Sequence, residues 1–161
     1  MADSIPAPLS LYTGSALPEW IDYNGHMMDG YYLVAFTYAT EAFLEYVGFG
    51  PAYRERTGKT VYTVEGHINF LREVKAEAPL RYTTQLLGYD AKRLHVFHSM
   101  VHANEGYLAA TNELMFLHVN QATMRVESMP SENLAQVEQI YQAHADLPRP
   151  LQAGRSISLR G

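Results

Sequence analysis

The sequence predicts an α+β domain in which a curved antiparallel sheet wraps one long central helix. Three observations predict it. Residues 31–47 run without Pro or Gly and are mostly apolar, four segments between 60 and 119 read as strands separated by short turns, and 131–144 forms one amphipathic helical pattern. A chain of 161 residues suits a single domain with a sizeable core, spanning 1–161 with loose tails expected at 1–8 and 146–161.

Taken in order, Leu9 to Leu17 reads as a short edge strand interrupted at Gly14. The stretch WIDYNGHMMDGYY follows, in which a polar turn (Asp22, Tyr23, Asn24, Gly25) leads through His26 to Asp29 and Gly30 as helix cap and entry. The helix from Tyr31 to Val47 would be roughly 25 Å long at about 1.5 Å per residue. Leu33, Phe36, Phe43, Leu44 and Val47 form one stripe, Tyr32, Ala35, Ala39, Ala42 and Tyr46 the next, and Thr37, Glu41 and Glu45 a narrow polar line. A helix apolar over most of its circumference is expected to be buried, with its first N–H groups pointing back towards Asp22. Gly48 and Pro51 stop it, and 51–59 reads as a loop.

The next segment, 60–72, alternates, placing Tyr62, Val64, Ile68 and Phe70 on one face and Thr63, Glu65, His67 and Asn69 on the other. Strands then open at Pro79, at Arg93 after the turn GYDAK, and at Tyr107 after NEG, so the four strands read as one antiparallel meander. The fourth, YLAATNELMFLHV, is apolar on both faces and is expected to be central. A brief extension at 123–128 and a helix from Ser131, with that serine as cap, complete the domain. One such layer leaves part of its outer or edge surface apolar, so a homodimer or homotetramer is expected.

Composition narrows the function. The net charge of −5 and the absence of a basic run argue against a nucleic-acid partner. No apolar run has the length of a membrane span and the first ten residues lack a signal-peptide pattern, so a cytoplasmic protein that does not enter a membrane is the expectation. With no cysteine, thiolate nucleophiles and thiolate zinc sites are excluded. His95, His98 and His102 would share one side only on a helix; on a strand His98 and His102 share a face and His95 does not, so no metal site is expected.

Asp22 is the strongest candidate for chemistry. A carboxylate just before a buried helix can act as nucleophile or as general base on water, while amides at the helix start hold the oxygen that becomes negative. From spacing alone a plain turn is the simpler reading, because Asp, Asn and Gly are turn formers.

The string DYNGHMMDGYY resembles the DxxGHxNNxxY motif of the hotdog-fold acyl-CoA thioesterases, the group typified by 4-hydroxybenzoyl-CoA thioesterase. In that motif the aspartate is the catalytic carboxylate and matches Asp22; Gly25 and His26 match its GH, Asp29 its second Asn, and Tyr32 its Tyr. Met28 replaces the first Asn, and Trp20 stands where many members carry a further acid. Within the group the chain is most similar to the betainyl-CoA thioesterases of bacterial carnitine degradation. The resemblance implies a hotdog fold, a coenzyme A thioester as substrate, no cofactor, and an active site shared between two subunits.

It further implies catalytic roles for Asp22, Asn24 and His26, and an oxyanion site at Asp29, Gly30 and Tyr31. Trp20, Tyr23, Tyr31 and Tyr32 offer aromatic faces to a trimethylammonium group, which accepts no hydrogen bond. Glu65, His67 and Asn69 are the expected contribution from the partner subunit, and Arg54, Arg56, Arg72, Lys75, Lys92 and Arg93 are cations available to the CoA phosphates. Two other functions fit the same features: a hotdog hydratase using His26 or His67 with Glu41, and a non-catalytic domain that binds an acyl-CoA or a quaternary amine.

Overall fold

A computed structural model describes residues 4–159. The helix α1, Asp29–Tyr46, lies in the trough of a curved six-stranded antiparallel sheet. Around it come β1 (Leu9–Ser15), α2 (Pro51–Thr57), β2 (Lys59–Phe70), β3 (Pro79–Tyr89), β4 (Arg93–His102), β5 (Leu108–Asn120), β6 (Arg125–Val126) and α3 (Ser131–His144). The strand order is β1-β3-β4-β5-β2, with β6 on β5. This corrects the expected four-strand meander: only β3, β4 and β5 follow one another, while β2 crosses to the far side of β5 and forms an edge. Alternation within a strand does not encode which strand it will pair with.

The faces of β2 also differ from expectation. A bulge between Thr63 and Glu65 reverses the alternation, so Tyr62 lies opposite Leu117 on the outer face, whereas Thr63, Gly66, Ile68 and Phe70 face α1. Glu65, His67 and Asn69 remain on one face, the outer one, opposite Met115, Glu113 and Thr111.

Helix α1 ends as the sequence predicts. Gly48 takes φ of 81°, its N–H donates to Glu45 O (3.0 Å), and Phe49 N–H donates to Leu44 O (2.7 Å), the paired bonds of a Schellman motif. At its start Met28 occupies the cap position without a side-chain bond and Asp29 is the first helical residue, so Asp29 is not the cap. Pro130 likewise holds the cap position before α3, with Ser131 inside the helix. The loop expected after Gly50 is helix α2: Pro51 opens it and Gly58, with φ of 67°, closes it. Proline lacks the N–H that a first helical turn leaves unpaired anyway.

Tyr32, Ala35, Phe36, Ala39 and Phe43 of α1 face the sheet, where Leu80, Tyr82, Leu86, Leu94, Val96, Met100, Ala110, Leu114 and Phe116 complete the core. Phe36 and Phe43 are fully buried, each contributing about 2–3 kcal/mol. The helix is not enclosed, however. Leu33 (54% exposed), Val34 (39%) and Tyr38 (42%) face outwards, because one curved sheet covers only one side of a helix.

His144 joins three segments: Leu86 N–H donates to its Nδ1 (3.0 Å), and its Nε2–H donates to Pro6 O (3.1 Å). Residues 146–159 form no helix or strand, yet Gly154 N–H donates to the Glu113 carboxylate at 2.8 and 3.0 Å on the outer face of the sheet. Residues 1–3, part of the N-terminal tail expectation, lie outside the described residues. No helix among the described residues is long and apolar enough to cross a membrane.

Candidate active site

Residues 22–26 form a tight hairpin. Gly25 N–H donates to Asp22 O and Asp22 N–H to His26 O, both at 3.0 Å, and Gly25 takes φ of 81°. A turn followed by one left-handed residue needs glycine there, because a side chain at positive φ is strained. Asp22 Oδ1 accepts Asn24 N–H at 2.8 Å, the local bond that makes Asp a turn former. The turn explains one carboxylate oxygen; Asp22 Oδ2 forms no hydrogen bond among the described residues.

The loop 71–78 between β2 and β3 holds this hairpin. Met27 N–H donates to Val74 O (2.7 Å), Met28 N–H to Trp20 O (2.9 Å), and Ile21 and Met27 bridge as strands do. His26 Nε2 lies 3.0 Å from Glu73 Oε2. The backbone of Glu73 is itself fixed, its carbonyl accepting the Tyr107 hydroxyl (3.1 Å), and Arg72 lies over the Tyr107 ring at 4.0 Å. His26, Met27, Asp29, Tyr32, Phe70, Arg72 and Glu73 are among the residues lining an open cleft of about 330 Å³ beside the hairpin. Of the six cations considered for CoA phosphates, Arg72 is the one in this cleft; Arg93 is spent on Asp90 (2.6 Å) and Arg54 lines a different cleft at the other end of α1.

Two of the three amides expected to hold an oxyanion are occupied. Gly30 N–H donates to Asp29 Oδ1 (2.8 Å) and Tyr31 N–H to Met28 O (3.0 Å). The Asp29 N–H has no partner among the described residues.

The aromatic residues do not assemble into a cage within one chain. Trp20 is 7% exposed and stacks on Tyr31 (5.6 Å, 12°), so its ring is committed to packing. Tyr23 is 98% exposed. Tyr32 is buried with its ring edge-to-face on Phe70 at 5.1 Å, and burial raises its hydroxyl pKa above the ordinary value. Glu65 and His67 line a separate cleft on the outer face with His95 and Glu113, whose Nε2 and Oε2 are 2.8 Å apart, and Asn69 shares that face. None of these three joins Asp22 within one protomer.

No three His, Cys, Asp or Glu side chains converge as metal ligands among the described residues. His98 points inward, its Nδ1 2.9 Å from Thr84 Oγ1 and its Nε2 3.0 Å from Thr40 Oγ1, and His102 Nδ1 accepts Glu105 N–H (3.1 Å). Sequence reasoning missed Glu73, Tyr107 and Phe70, since LREVK reads as an ordinary charged loop and nothing local ties it to a turn so far upstream.

The pattern of the thioesterase-like superfamily matches residues 16–137, from before the hairpin into α3. The chain belongs to this superfamily. A betainyl-CoA thioesterase of Pseudomonas aeruginosa is 43% identical over 151 residues, covering 94% of this chain and 95% of that protein. An L-carnitine dehydrogenase/betainyl-CoA thioesterase of Agrobacterium fabrum is 40% identical over 150 residues; the match covers 93% of this chain but 30% of that longer protein. Among solved structures, a Staphylococcus aureus protein in complex with CoA superposes with a TM-score of 0.88 at 29% identity, covering 98% of this chain and 99% of that one. A Pseudomonas putida protein gives a TM-score of 0.83 at 32% identity, covering 98% and 100%. The thioesterase-like superfamily thus carries the hotdog fold here, an α+β sheet curled around α1, and the Asp22 hairpin sits at the open N-terminal end of that helix.

Proposed function

We propose that this thioesterase-like protein is an acyl-CoA hydrolase that cleaves betainyl-CoA to glycine betaine and CoA in the cytoplasm. The observation that carries the reading is 43% identity, over almost the whole of both chains, to a betainyl-CoA thioesterase. In this reading Asp22 Oδ2 attacks the thioester carbonyl or takes a proton from the water that does. The Asp29 N–H faces the oxygen that becomes negative, and His26, oriented by Glu73, exchanges the proton needed when the thiolate departs. Water adds across the C–S bond: the acyl carbon gains OH and the sulfur gains H.

The test is release of free thiol from a panel of short acyl-CoAs. Betainyl-CoA is expected to give the highest kcat/KM. Equal or faster turnover of uncharged esters would remove the betaine assignment but leave the hydrolase, and no release from any ester would remove both.

The site is completed by a second copy of the chain. β2 is an edge strand of 12 residues, and Val64 (55%), Phe70 (52%) and Leu33 (54%) are exposed along it and along the open side of α1. A long, apolar edge of this kind invites strand pairing. Light scattering should give at least twice the 18.2 kDa of one chain. Val64→Lys should shift the protein towards the single-chain mass, and a wild type that is monomeric at assay concentration would overturn the assembly.

A further inference from the structure

The last stretch of the chain crosses the outer face of the sheet along one row of residues. Gln85 of β3, Phe97 of β4, Glu113 of β5 and His67 of β2 are paired in turn, so their side chains stand side by side on that face. The segment after α3 is bound on either side of Phe97. Gln85 Nε2–H donates to Pro148 O (3.4 Å), and Gly154 N–H donates to both oxygens of Glu113 (2.8 and 3.0 Å), a carboxylate that also meets His95 Nε2 at 2.8 Å. Between these two anchors lies Phe97, which is buried although it faces outwards. A tight turn, in which Ala153 N–H donates to Pro150 O at 3.0 Å, takes up the spare length. Residues 148–154 are therefore a strap across the sheet rather than a loose tail.

Beyond Gly154 the chain runs towards the edge. Arg155 lines a cleft of about 280 Å³ with Glu65 and His67, both on β2, and β2 has no strand on its far side among the described residues. Ser156, Ile157, Ser158 and Leu159 follow, all exposed, so two large apolar side chains stand free of the chain that carries them. Adjacent strands are about 4.8 Å apart, and an extended residue advances about 3.3 Å. A strand added to the edge of β2 would lie two spacings from Glu113, about 10 Å. Ile157, three residues past the anchor, reaches that distance, and Leu159 passes it.

We propose that residues 155–159 form an arm that crosses the free edge of β2 and packs Ile157 and Leu159 on the outer face of a second copy of the chain. The inference rests on the assembly through β2 proposed above. A two-fold axis through the paired edges makes the contact reciprocal, so each dimer carries two arms. With that axis perpendicular to the sheet, both outer faces lie on one side of a continuous sheet, the side on which the strap runs. The receiving surface has an apolar component, since the ring of Tyr62 is exposed on the outer face of β2. Within one chain Ile157 and Leu159 stay in water, whereas across the edge they leave it.

The chain contains no cysteine, so Ile157→Cys and Leu159→Cys each give a full-length protein with one thiol for a benzophenone maleimide. Irradiation followed by denaturing electrophoresis should give a two-chain product. A chain ending at Arg155 keeps the bond between Gly154 and Glu113 and should fold as the full chain does, but its dimer dissociation constant should rise about tenfold or more. Ile157→Ser combined with Leu159→Ser should raise it in the same way. An unchanged dissociation constant in the shortened chain, or cross-links confined to single-chain mass in a dimeric protein, would overturn the proposal. A full-length protein that is monomeric would instead remove the assembly through β2, and the arm's role with it.

Discussion

Asp22→Asn should lower thioester hydrolysis by about a thousandfold or more while leaving the fold intact. The variant separates the two roles this residue can have. Asparagine keeps a side-chain oxygen able to accept Asn24 N–H, the bond that Asp22 Oδ1 makes at 2.8 Å, so the hairpin should keep its shape and thermal stability. What it loses is the negative oxygen that attacks carbon or accepts a proton. Asp22→Ala removes the turn bond as well and should add a stability loss of about 1 kcal/mol. His26→Gln and Glu73→Gln remove the proton-exchanging group and the carboxylate 3.0 Å from it, and smaller losses, about tenfold to a hundredfold, are expected. Steady-state kinetics with thermal melts on the same preparations decide the matter. An Asp22→Asn protein with more than a tenth of wild-type kcat would reduce Asp22 to a turn former.

Stability should fall as pH drops from about 6.5 towards 3, with His98 as a main cause. Complete burial holds the His98 imidazole down to about 3, against an ordinary value of 6.5. Between those limits the unfolded chain binds a proton that the folded one does not. Each pH unit in that window therefore removes about 1.4 kcal/mol, whereas above it the contribution is fully present. Burial lowers His118 and His144 as well, so they add in the same direction. Urea unfolding at a series of pH values should show this slope in the wild type and a shallower one in His98→Asn. A wild-type stability that stays flat from pH 6.5 to 4.5 would contradict it.

The parts of the molecule legible from sequence were those with local causes. The Schellman end of α1 follows from one glycine, the 22–26 hairpin from Asp, Asn and Gly in turn positions, and the turn before β4 from Asp90, whose Oδ1 accepts the N–H groups of Lys92 and Arg93 at 2.8 Å each. The DxxGHxNNxxY resemblance pointed to the correct superfamily and to the end of α1 where the candidate site lies. It was less informative about the surroundings, because Trp20 and Tyr31 pack on each other and Glu65, His67 and Asn69 face away from α1.

By itself the sequence determined that this chain would place a polar, carboxylate-bearing hairpin at the head of one long helix and pack that helix against antiparallel strands. Turn propensity, helix stops and apolar periodicity act within a few residues, so they can be read without knowing the fold. Only the tertiary structure decided that β2 lies at the far edge beside β5, that the bulge near Val64 reverses its faces, and that Glu73 reaches His26. Each of these depends on which distant segments pack together, a choice set by the summed burial of the whole core.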